Sequence, residues 1–378
     1  MEFSPQQQKA IDAVMQWIAD PGDNQVFRLF GYAGTGKTTL AKYIASRVEE
    51  EHGGDVLFGA FTGKAALVLQ RKGCEGASTL HSLIYNVKEG DDGPVFVRNR
   101  ESPLAEATLL IVDECSMVAE ELGEDVLSFE TPVLVLGDPA QLPPVSGAGF
   151  FTHEEKGKNN IVAITPDVML TEIHRQARDN PIIALATEVR LGRRLKPGRY
   201  GESEVRDRPL SREIVLRADQ LIVGKNATRN VSNRKYRKLL KRESWHPVEG
   251  DRLVCLQNKK DLGLLNGGLW ECVELGDYSA NETIEMEIKS LDFDAPNIEV
   301  QALSGYFQST SFKPEAWQFR RFSHFDFGYA LTCHKAQGSQ WDDVAIIDES
   351  GVFREDAERW LYTAITRAAV RVTIARAS

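Results

Sequence analysis

Short apolar runs alternate with amphipathic stretches along the first part of the chain. Residues 25–30 (QVFRLF) read as a buried strand, as do 56–61, 109–112 and 133–136, with helical patterns at 40–50, 63–72 and 117–129. Strands alternating with helices predict a largely parallel α/β sheet covered on both faces. Residues 86–103 break that rhythm; they are turn-rich around Val95-Phe96-Val97 and read as a β-hairpin protruding from the first domain. A second α/β pattern begins near 166, contains 219–224, and resumes with 344–348 and 370–375. Between its halves lie short β-type runs (RLVCLQN, LWECVEL, TIEMEIKSL, NIEVQALS), which predict a small inserted β-barrel. The expected plan is therefore α/β: a first domain over 1–165, a second over 166–245 and 326–378, and a barrel over 246–325.

Composition narrows the class. A chain of 378 residues suits two or three domains, and 42% hydrophobic with 26% charged residues excludes disordered, collagen-like and coiled-coil chains. No run of 18 apolar residues predicts a membrane span, and Met1-Glu2-Phe3-Ser4-Pro5 lacks the basic and apolar regions of a secretory leader. The cysteines (Cys74, Cys115, Cys255, Cys272, Cys333) are odd in number, far apart and free of Cys-x-x-Cys. That pattern argues against a disulfide framework or a zinc site, and for a reducing, cytoplasmic compartment. The net charge of −10 is unevenly spread: residues 225–242 carry eight Lys or Arg and no acid, whereas acids gather in 101–130 and 271–298. A basic face on an acidic body is compatible with a nucleic-acid partner, and composition goes no further.

The chemistry begins at Gly31. Residues 31–38 satisfy G-x-x-x-x-G-K-[ST] between a strand and a helix. In such a loop the glycines let backbone N–H groups curl around phosphates, Lys37 reaches the β/γ oxygens and the Thr38 hydroxyl holds Mg²⁺. The apolar run 109–112 ends in Asp113 and Glu114. Asp113 is suited to the Mg²⁺ shell and Glu114 to positioning and deprotonating an attacking water, so hydrolysis is favoured over phosphoryl transfer. Gln141 follows the next strand, where its amide would sense a γ-phosphate; an ordinary Gly-Asp-Pro loop is the alternative. Gln7 is either the reciprocal partner of Ser4 in a capping box or a reader of the adenine edge.

Taken in order, these motifs resemble those of a superfamily 1 helicase of the RecD/Dda-like 1B branch. The resemblance runs through Gln7, GYAGTGKTT at 31–39, AFTGKAA at 60–66, STLHSLI at 78–84 and VDECSM at 112–117. It continues through GDPAQLPPV at 137–145, LTEIHRQ at 170–176, GYALTCHKAQGSQW at 328–341 and YTAITRA at 362–368. It implies two RecA-like P-loop NTPase domains with ATP between them, a strand-separating pin in the first and an SH3-like barrel in the second. By matching positions, Gln7, Gly34, Thr35, Gly36, Lys37, Thr38 and Thr39 would bind ATP, with Thr38 and Asp113 on Mg²⁺. Lys37, Asp113, Glu114, Gln141, Arg175 and Arg367 would carry catalysis, the two arginines reaching the γ-phosphate from across the cleft.

The DNA-facing set implied by the same match is Thr62, Lys64, Thr79, His81, Thr332, His334, Lys335 and Gln337, with Phe96 in the pin hairpin. Blander readings stand beside these. Arg175 would pair with Glu172, Arg367 would be a terminal-helix cation, and His81 and His334 would be buried structural histidines. Phe96 would merely cover the hairpin base, Trp341 would be core, and 225–242 would be a solvated helix face. The implied activity is an ATP- and Mg²⁺-dependent 5′→3′ DNA helicase, monomeric, in a bacterial or phage-infected host cytoplasm. Its expected partners are single-stranded DNA, ss/dsDNA junctions, and single-strand-binding, replication or recombination proteins. The competing functions are a strand-stimulated translocase that displaces proteins with little unwinding, and a non-motor nucleotide switch; RNA is a variant substrate. Two departures stand out: the acidic stretch 271–298 within the expected barrel, and the eleven residues after Arg367, which lead us to expect no appended nuclease.

Overall fold

The apolar runs become parallel strands because each is buried on both faces and hands directly to a helix that packs back over it. In this computed structural model residues 3–90, 93–144, 149–155, 161–173, 180–279, 282–309 and 311–376 are described. The chain folds as two compact units: Met1–Lys88, Pro94–Arg193 and Glu358–Thr366 in one, and Glu89–Gly93, Arg194–Ala357 and Arg367–Ser378 in the other.

In the first unit the strands are β1 (Val26–Gly31), β2 (Val56–Ala60), β3 (Ser78–Thr79), β4 (Tyr85–Gly90) and β5 (Gly93–Arg98). They continue as β6 (Leu109–Asp113), β7 (Val133–Gly137), the short pair β8 (His153–Glu155) and β9 (Ile161–Ala163), and β10 (Val168–Leu170). Six of them form a sheet in the order β10-β1-β7-β6-β2-β3, with every pairing parallel. Helices Pro5–Ala19, Lys37–His52 and Gly63–Arg71 pack their apolar residues with one face of this sheet. Helices Leu80–Ile84 and Glu120–Leu127 join the core on the other. Strands β4 and β5 form a separate two-stranded ribbon. Tyr85 and Arg98, its first and last residues, both engage Asp125: the Tyr85 hydroxyl by a short hydrogen bond and Arg98 at 3.8 Å.

The domain boundary expected at 165/166 is displaced. Strand β10 pairs with β1 (Leu29↔Val168, Gly31↔Leu170), and helix Pro181–Arg190 also stays with the first unit, which the chain leaves after Arg193. The apolar Val168-Met169-Leu170 covers what would otherwise be an open edge of β1.

The second unit contains β11 (Gly198–Tyr200), β12 (Ser203–Arg206), β13 (Gln220–Val223), β14 (Arg252–Cys255), β15 (Leu269–Ser279) and β16 (Thr283–Ser290). It ends with β17 (Ile298–Leu303), β18 (Phe325–Phe327), β19 (Ala330–Thr332), β20 (Trp341–Asp348) and β21 (Ala368–Arg376). One sheet runs β11-β12-β21-β20-β13-β19, parallel except for the β11–β12 pair. Inserted between β13 and β19 is an antiparallel sheet in the order β17-β16-β15-β14-β18, and a bridge between Ala302 and Ser323 ties β17 to the segment entering β18. Along β16 burial alternates strictly enough that Ile284, Met286 and Ile288 face a core with Trp270 and Phe325, as a sheet with one wet face requires. This sheet ends at Phe327, two residues past the expected boundary. Gly328 then turns so tightly that a Cβ there would come within 2.9 Å of the Leu253 backbone.

The basic run 225–242 keeps the expected solvated face at Lys225, Arg234, Lys235, Lys238 and Lys241, all exposed, but its other three basic residues depart from it. It forms helix Asn226–Leu239, and three of its arginines turn inward onto carboxylates: Arg229 to Asp326 at 2.8 Å, and Arg237 and Arg242 to Asp251, each at 3.0 Å. These pairs fasten the helix to β18 and to the residue that leads into β14, so the charge of these three arginines serves packing.

Candidate nucleotide-binding site

The site grows from the carboxyl end of β1. Gly34 and Gly36 both adopt left-handed backbone (φ +81° and +79°), which lets the loop reverse and feed helix Lys37–His52 directly. Thr35, almost wholly buried, donates its hydroxyl to Tyr32 O at 2.8 Å and stiffens the turn. Lys37 leans across the loop mouth, its ammonium donating to Gly31 O at 2.7 Å and Tyr32 O at 3.2 Å. Thr38 lies half-buried and Thr39 exposed in the first helical turn. The Arg190 guanidinium sits 3.5 Å above the Tyr32 ring and braces the loop from outside.

Gln7 is buried, and it forms the capping box: its N–H donates to Ser4 Oγ at 3.3 Å while its Oε1 accepts from Ser4 N at 3.1 Å. Its Nε2 also donates to Thr35 O at 3.1 Å, so the same side chain steadies the phosphate loop.

Asp113 ends β6, and its Oδ2 accepts from the Thr38 hydroxyl at 3.3 Å. Glu114 follows in a left-handed conformation (φ +53°), rare for a side chain of its size, and its N–H donates to Asp113 Oδ1 at 2.8 Å. Burial pushes the Asp113 carboxyl above its ordinary range; Glu114 adds to the effect and Lys37 opposes it. Asp138, just past β7, is likewise raised by burial, against the pull of Lys37 and of a hydrogen bond from Tyr362. Gln141 is buried on the turn that Asp138 starts, with its N–H on Asp138 O at 3.0 Å. Its Oε1 has no hydrogen-bond partner among the described residues. A buried acceptor of this kind is costly unless something donates to it, and it fits a water or ligand donor.

Three of the residues expected to face a nucleic-acid strand share one device. Thr62, Thr79 and Thr332 are each N-caps of short helices that begin where β2, β3 and β19 end, accepting from the N–H three residues on at 3.2, 3.1 and 3.4 Å. Lys64 is buried in the first turn after Thr62. His81 lies between the rings of Phe61 and Tyr85, and His334 beside Phe353; burial holds both imidazoles below their usual pKa. Burial, then the Arg229 charge, pushes the Lys335 ammonium down to about 8. Gln337 is buried, and Trp341, first in β20, packs half-buried against a small core cluster.

The first unit thus contains Gln7, the 34–39 loop, Asp113, Glu114 and Gln141, with Thr62, Lys64, Thr79 and His81 in or just past strands of the same sheet. Thr332, His334, Lys335, Gln337 and Arg367 belong to the second unit. There Arg367 is buried and donates to Ser339 O at 3.3 Å. Arg175 lies outside the described residues; Phe96 is in the backbone of β5, with its side chain outside them.

Two groups of residues escaped sequence reasoning. Gln6 donates to Met169 O and Thr171 Oγ1 and accepts from Thr171 N and Glu172 N, holding the first helix to the end of β10. Tyr362 and Thr363, on helix Ala357–Ile365, bond to the loops of the first unit. The YTAITRA motif contained that pair, but its signal pointed only to the arginine.

Comparison with known proteins fits this frame. The sequence matches the AAA domain family over residues 2–203, just over half the chain, and a UvrD-like helicase C-terminal domain over 327–375. It is 29% identical over 364 residues to the ATP-dependent RecD2 DNA helicase of Deinococcus radiodurans, covering 90% of this chain and 45% of that one. It is 31% identical over 198 residues to the ATP-dependent DNA helicase dda of Enterobacteria phage T4, covering 50% of this chain and 42% of that one. The chain therefore spans less than half the length of either relative. The structure is similar to Bacteroides Pif1 bound to ssDNA, with a TM-score of 0.57, 19% identity, and coverage of 99% of this chain and 92% of that one. That likeness shows the fold, a mixed α/β architecture with two RecA-like domains. With its phosphate loop and Asp-Glu strand inside the matched region, the chain belongs to the AAA domain family, and it is similar to the RecD2 and dda helicases whose motifs it resembles.

Proposed function

We propose that this chain is an ATP- and Mg²⁺-dependent DNA helicase that moves 5′→3′ on a single strand and opens the duplex ahead of it. The observation that carries the hydrolytic half is the juxtaposition of the Thr38 hydroxyl, the half-buried Asp113 carboxylate and the adjoining Glu114 at the loop held by Lys37. A carboxylate whose surroundings raise its pKa fits a site that takes a divalent cation, and Thr38 and Asp113 would hold it. When bound, Mg²⁺ neutralises phosphate charge. Lys37 and the loop N–H groups would orient the triphosphate, Glu114 would take a proton from water, and the orphan Oε1 of Gln141 would accept from that water.

The motor half rests on kinship. RecD2 and dda are named DNA helicases, and the Pif1 likeness is to a structure bound to ssDNA. On that ground Arg175 and Arg367 are assigned to the γ-phosphate, and Thr62, Lys64, Thr79, His81, Thr332, His334, Lys335 and Gln337 to strand phosphates. The β4–β5 ribbon with Phe96 is assigned as the pin, and the five-stranded sheet as the SH3-like insertion. Residues of short polar reach suit contacts that ignore base sequence.

The test is unwinding of matched duplexes bearing a 5′ or a 3′ single-stranded tail, with ATP-Mg²⁺ and a Lys37→Ala control. Opening of the 5′-tailed duplex alone is expected. Opening of the 3′-tailed duplex alone would overturn the direction, and strand-stimulated ATPase without opening of either would leave a translocase.

A further inference from the structure

Helix Ala357–Ile365 lies in the sequence just ahead of β21 of the second unit, yet it packs within the first. Two consecutive side chains on it reach the loop that carries Gln141. The Tyr362 hydroxyl donates to Asp138 Oδ2 at 2.6 Å, where that loop begins, and Thr363 Oγ1 accepts from Leu142 N at 2.9 Å, just past Gln141. The Tyr362 oxygen also accepts from the N–H of Ala33, inside the phosphate loop, at 3.0 Å. One hydroxyl therefore bonds both loops at once. Tyr362 is 2% exposed and Thr363 fully buried, so bulk water does not compete for these bonds.

With Asp138 and Leu142 both anchored, the backbone of Gln141 cannot shift without breaking one of the anchors. We propose that Tyr362 and Thr363 are positioning residues that hold the Gln141 loop and the phosphate loop in one catalytic geometry, and so set the rate of ATP turnover. This rests on the hydrolytic reading above. A mere staple would act differently: its loss would weaken the fold and nucleotide affinity together. Loss of a positioning contact lowers turnover while ground-state binding persists.

The experiment uses the full chain and two shape-conserving variants, Tyr362→Phe and Thr363→Val, singly and combined. Turnover and KM for ATP are measured with saturating oligothymidylate, beside the Kd for ADP and the thermal midpoint. Tyr362→Phe should lower kcat by about tenfold to hundredfold, the range for one hydrogen bond to a charged group. Thr363→Val should lower it by about threefold to tenfold. ADP affinity should stay within about twofold, and the double variant should lose less than the product of the single losses, because both act on one loop. Should Tyr362→Phe fail to fold, Thr363→Val decides alone. Turnover within twofold of wild type, or turnover, ADP affinity and thermal midpoint falling together, overturns the proposal. A wild-type chain without ATPase would sink the functional reading and this inference with it; an active wild type indifferent to both substitutions sinks only the inference.

Discussion

Asp251 is the most heavily committed carboxylate in the second unit, and its removal gives a sharp test of how the antiparallel insertion is seated. It is fully buried. Its oxygens accept from Arg237 Nε at 3.1 and 3.2 Å, Arg242 Nη1 at 3.0 Å, the Tyr329 hydroxyl at 2.7 Å and Val248 N at 2.8 Å. Arg237 also donates to Ser244 Oγ at 3.1 Å and His246 O at 2.9 Å, and lies 4.2 Å over the Phe327 ring. Asp251→Asn keeps the shape but strands two guanidinium charges, one of them fully enclosed. Breaking a buried pair this way costs about 3–5 kcal/mol. Because the chain has two compact units, a single melting curve would blur the effect; hydrogen exchange resolves it by region. Amides of β14, β15 and β18 should exchange about 10²- to 10⁴-fold faster in Asp251→Asn, while those of β1, β6 and β7 should not change. Exchange within tenfold of wild type in the insertion, or equal acceleration in both units, would refute the seat we assign to this cluster.

Glu114→Gln should bind ATP with near-normal affinity yet turn over at least about 10²-fold more slowly, and Lys37→Ala should lose hydrolysis outright; wild-type rates in either would remove the assigned site. Burial alone would raise Glu349, but hydrogen bonds from Thr228, Lys225 N and Gly224 N outweigh it and hold the carboxyl below its usual range. A depressed carboxyl stabilises above its unfolded pKa of about 4.3 and loses that contribution as pH falls through the lower folded value. Glu349→Gln should therefore be less stable by about 1.5–3 kcal/mol at neutral pH, with the gap closing in acid; a constant gap from pH 7 to 3 would contradict this. With Lys335 near 8, wild-type affinity for single-stranded DNA should weaken between pH 7 and 9 as the ammonium loses its proton, and Lys335→Arg should flatten that slope. A flat wild-type profile would take Lys335 out of the strand set.

Much of this was readable in advance because the informative signals were local. Strands β1, β2, β6 and β7 begin and end within a residue or two of the apolar runs that announced them, since a strand buried on both faces leaves an unbroken apolar run. The phosphate loop and the Asp113-Glu114 turn were equally plain, because each lies within a few residues of its own strand. What the sequence hid was non-local. β10 reads as the start of a new α/β pattern until its partner, β1, is known. The inward turn of Arg229, Arg237 and Arg242 depends on Asp251 and Asp326, of which Asp326 lies 97 residues from Arg229. The Tyr362–Asp138 bond spans 224 positions, and no periodicity or spacing carries information over that distance.

The two parallel sheets also differ at one comparable corner, and the difference bears on why the chemistry concentrates in the first. In each unit a largely buried strand ends at or just before a Gly and hands to a helix near a Lys: β1, the 31–36 loop and Lys37 in one, β13, Gly224 and Lys225 in the other. A helix begun this way presents unpaired N–H groups and the positive end of its dipole to whatever anion lies nearest. In the first unit the left-handed Gly34 and Gly36 shape a longer loop around that end. In the second unit Glu349 takes the position itself, accepting from Gly224 N at 2.8 Å, Lys225 N at 2.9 Å and the Thr228 hydroxyl at 2.6 Å. Its carboxylate, only 10% exposed, satisfies the donors that a phosphate would otherwise claim, and an anion entering there would have to displace a covalently tethered competitor. The second sheet thus repeats this corner of the first with a carboxylate of its own already seated on the helix donors, which is why the phosphate-site expectation rests on the first unit.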